Sequence, residues 1–183
     1  MPNPMEVLVQ VFLHPGGPQG DFHFETTDLP MGGNNFLYFR NWHFPGFCIH
    51  YELQEPTHGY RFPESSLFPP NPPNQHLRAA LYAQPHPGCP TSASHWGQFA
   101  AQSVENSGRT LVVRNKNQTP LEFGYTLRVT SDGGVTYLPL DPGGLNKNGS
   151  ASVSVTSTVI AVAVGTMAAT VFVLYSLNLL SLG

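Results

Sequence analysis

The sequence predicts an all-β chain, a single antiparallel β-sandwich domain followed by one C-terminal transmembrane α-helix. Three observations predict it. Short runs of alternating apolar and polar residues recur at near-regular spacing, about eight of them, between turns rich in Gly, Pro and Asn. No long amphipathic helical pattern interrupts them. Residues 159–180, VIAVAVGTMAATVFVLYSLNLL, carry neither charge nor proline.

Met5 to Leu13 (MEVLVQVFL) alternates Val7, Val9 and Val11 with Leu8, Gln10 and Phe12, and His14-Pro15-Gly16-Gly17 stops this first strand. Asp21 to Thr27 sets Phe22 and Phe24 against Asp21, His23 and Glu25, and Asn35 to Arg40 (NFLYFR) is apolar on both faces. Gly46 to Gln54 has the cleanest two-faced pattern of the first half: Phe47, Ile49, Tyr51 and Leu53 turn to a core, while Cys48, His50 and Glu52 turn to solvent or line a site. Residues 55–74 are dominated by proline and read as a long loop inside one domain. His76 to Gln84 fits a short helix as well as a strand, and Ser92 to Ser103 a short helix as well as an extended edge. Arg109 to Asn115, Leu121 to Thr130 and Val135 to Leu140 make a three-strand meander. Its last two strands join through a tight Asp132-Gly133 turn, and Asp141-Pro142-Gly143-Gly144 ends it. The expected boundaries are a sandwich domain at 1–145, a linker at 146–156 and a membrane helix at 157–181.

At ~1.5 Å of rise per residue, roughly 22 residues make a rod of ~33 Å, the hydrocarbon thickness of a bilayer. Thr166, Thr170, Ser176 and Asn178 are the polar side chains of the run, and Thr and Ser can bond back to their own helix in lipid. Two buried strands, 152–164 and 170–180, are the alternative, but the run is continuous rather than alternating and its turn material is a single Gly165. The N-terminus lacks the basic and apolar regions of a secretory signal, so the expected topology is tail-anchored. Lys147, Lys116 and Arg114 all precede the run, which places the domain on the cytoplasmic side. Cys48 and Cys89 fit that compartment as thiols; a disulfide between them, and use of the Asn148-Gly149-Ser150 sequon, belong to the inverted topology.

Only 10% of the 183 residues are charged, the net charge is -3, and no Lys/Arg cluster exists, which argues against nucleic-acid binding. Such a surface meets membrane lipid and other membrane-protein subunits, or a second copy of the chain. The 11 carboxylates form no recurring pair, and no nucleophile elbow, phosphate loop or dinucleotide fingerprint is present, so no enzyme is expected. Cys48-x-His50 and His86-x-x-Cys89 have ligand-like spacing, and together they would suit zinc. Cys48-x-His50 on a strand, however, is expected to hold its ligands rather far apart. No metal or cofactor is therefore expected. Trp42 and Phe44, in an expected loop, and Trp96 are the aromatic side chains proposed for partner contact. Ser157, Ala161, Gly165 and Ala169 recur every fourth residue, a groove of small side chains that lets a second helix approach closely. The expected function is a non-catalytic, membrane-anchored binding or structural subunit. The alternatives are a self-oligomerising membrane effector, and a soluble or virion-type β-sandwich.

Overall fold

The computed structural model describes residues 3–16, 21–40, 46–92 and 96–146, all within one unit, Met1–Gly149. Trp42, Phe44 and the expected membrane segment with Ser157, Ala161, Gly165 and Ala169 lie outside these residues. Among the described residues, no helix is long and apolar enough to cross a membrane.

The alternating runs become strands. In chain order they are β1 (Met5–Leu13), β2 (Phe22–Glu25), β3 (Met31–Gly32), β4 (Phe36–Phe39) and β5 (Phe47–Leu53). After the proline-rich loop come α1 (Gln75–Ala80), β6 (Leu81–Gln84), β7 (Phe99–Glu105), β8 (Thr110–Asn115), β9 (Glu122–Val129), β10 (Leu138–Leu140) and β11 (Gly143–Asn146). The stretch that fitted helix and strand equally is both in succession, α1 running directly into β6. One sheet has the order β2-β1-β5-β8-β7. The other runs β10-β9-β11-β4-β3, with β6 also paired to β9. Leu127 pairs with both Leu140 and Leu81, so β6 takes the edge of β9 opposite β10 and β11.

The core lies between the two sheets. Val7, Val9, Val11, Ile49, Tyr51, Leu111 and Val113 from the first meet Leu37, Phe39, Phe123, Tyr125, Leu127 and Val129 from the second, all buried. Phe39 touches Phe47 across the layers with ring centroids 5.3 Å apart, and Phe99 packs on Phe123 and Tyr125 at 5.0 and 4.7 Å. Deep in this aromatic core, the Tyr51 hydroxyl donates to that of Tyr125 at 2.9 Å, giving two buried polar groups their partner. Burial pushes both phenols well above their usual pKa.

Several expectations need correction. The sheets are mixed rather than antiparallel: β1 runs parallel to β5, and β4 parallel to β11. Between Leu13 and Phe47 the chain makes β2, crosses to the other sheet for β3 and β4, and returns, a connection long enough for parallel pairing. Alternation could not reveal this, because side chains alternate in both kinds of ladder. Of the meander, the antiparallel β9–β10 pair is present, but β8 does not join it, since β5 and β7 occupy both edges of β8 and β9 joins the other sheet. The β9–β10 connection is wider than a two-residue turn. There the Asp132 carboxylate accepts from the backbone N–H groups of Val135 and Thr136 and the hydroxyls of Thr130 and Thr136, which organises a loop. Finally, Asp141-Pro142 interrupts the strand, as expected, but Gly143-Gly144 resume it. β10 and β11 hold one continuous register on β9, Leu140 opposite Leu127 and Gly143 opposite Gly124. Gly144 is there to make room, because a Cβ would stand 2.6 Å from the Phe123 ring.

Candidate functional site

On β5, the residues facing away from the core are Cys48, His50 and Glu52, and the parallel register sets Glu6 of β1 opposite Cys48 and Leu8 opposite His50. Alternate residues on a strand are separated by roughly 6.5–7 Å at Cα. The side chains nevertheless converge. Cys48 Sγ lies 3.8 Å from His50 Nε2, and Glu6 Oε2 lies 2.8 Å from the same nitrogen. The expectation that this pair holds its ligands apart is thus corrected: the imidazole spans the gap. Among the described residues, Glu6, Cys48 and His50 are the group whose ligating atoms all lie within 4.8 Å of one another. Glu6 is exposed, and Cys48 and His50 are half-buried.

Beside this triad opens a cavity of about 290 Å³, lined by Leu8, Asp28, Glu52 and Glu105 as well as by Glu6 and His50. The Leu8 backbone N–H donates to Asp28 at 2.8 Å, which ties the loop after β2 to one wall. Burial, with Glu6 beside it, pushes the Cys48 thiol up to about 11, against the lowering influence of Arg114. Cys48 is therefore a protonated thiol at neutral pH. Both the thiol and the carboxylate face Nε2, whereas a nucleophilic relay needs the carboxylate on the other ring nitrogen to orient the base.

His86 and Cys89 are placed elsewhere. Their loop lies across the outer face of β9, where the Gly124 N–H donates to the His86 carbonyl at 2.8 Å and the Thr126 hydroxyl reaches the Pro90 carbonyl at 3.0 Å. Gly124 permits this contact. A Cβ there would come 1.7 Å from the Gly88 carbonyl oxygen. Both cysteines are free, Cys89 exposed. Burial raises the Cys89 thiol, with Asp141 adding to the rise.

No protein-family model matches this chain, and no curated protein matches it.

A second feature on the outer face of β9 was hidden in the sequence. Arg128 is held between two rings, its guanidinium carbon 4.6 Å from the Tyr82 centroid and 4.0 Å from that of Tyr137. It also donates to the Tyr82 hydroxyl and to the Ala79 carbonyl. A groove of about 200 Å³ runs past it, bordered by Thr126, Pro139 and Asp141. Alternation marked Arg128 as outward, but nothing local brings Tyr82 and Tyr137 to it from separate segments. Trp96, proposed for partner contact, is half-buried, with its ring 5.0 Å from Phe123 at the edge of the core.

Proposed function

We propose that the chain is a non-catalytic, membrane-anchored β-sandwich acting as a binding or structural subunit of a membrane protein assembly. Its domain stands on the cytoplasmic side, and residues 157–181 cross the bilayer as one helix. The observation that carries this reading is the uncharged, proline-free run 159–180, long enough to span hydrocarbon. The described fold supports it indirectly. Among the described residues, those between Val7 and Leu140 supply both faces of the core.

The binding role is supported by the Tyr82–Arg128–Tyr137 stack. Tyr and Arg are enriched where proteins bind one another, and a guanidinium already held between two rings loses little freedom on docking. Self-association is a second reading, favoured by the four-residue spacing of Ser157, Ala161, Gly165 and Ala169.

Alkaline carbonate extraction tests the anchor. The full chain is expected to stay with the membrane pellet, and a chain ending at residue 156 to leave it. Release of the full chain into the supernatant would remove the membrane reading.

A further inference from the structure

We propose that Glu6, Cys48 and His50 form a binding site for a zinc-class divalent transition-metal ion, with three protein ligands and a fourth position open to the neighbouring acidic cavity. The argument starts from the kinds of ligand present. An ordinary surface His–carboxylate pair has no reason to include a sulfur atom. Here carboxylate, imidazole and thiol converge on one point, and that mixed set suits zinc and its neighbours rather than magnesium or calcium, which take oxygen ligands.

The distances lie near those a metal requires. Bonds of ~2.0–2.3 Å at a tetrahedral centre place neighbouring ligand atoms about 3.3–3.6 Å apart. The structure has sulfur to nitrogen at 3.8 Å and nitrogen to oxygen at 2.8 Å, values that bracket this range. Opening the second distance takes a small rotation of the exposed Glu6 side chain. Cys48 and His50, in contrast, sit on a strand paired along both edges, β1 on one side and β8 on the other, so their positions are set by the sheet.

The surroundings favour a cation as well. Asp28, Glu52 and Glu105 line the cavity that Glu6 and His50 also border, which leaves room for a water molecule or a group from a bound partner in the fourth position. The proposal is independent of the membrane reading, because its three ligands lie on β1 and β5.

The experiment uses the full chain without an affinity tag, in mild detergent, stripped with a chelator and then titrated with Zn2+ or Co2+. One equivalent is expected to bind per chain, and Co2+ to show a thiolate-to-metal charge-transfer band with the strong visible bands of four-coordinate cobalt. Cys48→Ser should abolish the charge-transfer band. Cys48→Ser and Glu6→Gln should each weaken binding by at least the ~10- to 100-fold that loss of a supporting group costs. Cys89→Ser should change neither. A cobalt spectrum without the charge-transfer band, or a Cys48→Ser protein that binds as tightly as the parent, overturns the site. If a variant fails to fold, alkylation of the unmodified protein decides: Zn2+ should slow the labelling of Cys48 and spare that of Cys89, and an unchanged Cys48 rate overturns the proposal.

Discussion

Replacing Gly124 by alanine tests whether the loop carrying His86 and Cys89 is pinned to the outer face of β9. The added Cβ would stand 1.7 Å from the Gly88 oxygen and 2.8 Å from its carbonyl carbon. Both atoms are backbone, so no side-chain rotation relieves the clash and the loop must lift. Overpacking of this kind costs about 1–3 kcal/mol. Lifting also breaks the Gly124 N–H bond to the His86 carbonyl and the Thr126 contact to the Pro90 carbonyl, each worth about 1 kcal/mol. The total is about 3–5 kcal/mol, or a fall in Tm of about 6–20 °C for a domain of this size. Thermal unfolding followed by circular dichroism measures it. Gly97→Ala is the control, because nothing lies within 4 Å of a Cβ at that position, and it should melt with the parent. A lifted loop also takes the exposed Cys89 away from Asp141, which helps to hold its thiol protonated, so its alkylation should quicken while that of Cys48 stays constant. The reasoning fails if Gly124→Ala melts within about 1 °C of the control, or if Tm falls with no change at Cys89.

Two further outcomes follow from buried and bridging groups. Tyr51→Phe removes the donor to a hydroxyl sealed in the core and should cost about 1–3 kcal/mol in urea unfolding; adding Tyr125→Phe should cost less than the sum of the single changes, and strict additivity would show that the pair is uncoupled. The Asp132 carboxyl is held down to about 2, first by the Thr136 hydroxyl and backbone N–H and then by Thr130. Because its folded pKa lies below the unfolded value, the stability it contributes is present above about pH 4 and is lost as pH falls through about 2. Asp132→Asn should flatten that part of the acid limb, and a carboxyl titration by NMR with a midpoint near 4 would contradict the loop described here.

Alternation is a local property, and what depends on it was legible. The core faces of β1, β5 and β9 follow directly from their apolar residues at every second position, down to Val7, Ile49 and Tyr125. Asp132 and Gly133 announced a chain reversal, but not that four donors would gather on one carboxylate and widen it. Gly143 and Gly144 misled because glycine serves two purposes. It marks turns, and it also makes room for a ring; that Phe36 and Phe123 lie against these two positions is a long-range fact.

By itself, the sequence determined that the chain is mostly β, which side chains of its longest strands turn inward, and that one C-terminal stretch has the length and apolarity to span a bilayer. Each follows from neighbouring residues and the geometry of a single element. Tertiary structure alone decided which strands run parallel, which sheet each joins, and that Glu6 completes a triad with Cys48 and His50. The reason is that a strand carries its two faces with it, whereas its partners and register are set by contacts with segments far away along the chain. The same long-range pairing brought Tyr82 and Tyr137 to either side of Arg128 and left His86 and Cys89 against the opposite sheet from Cys48 and His50.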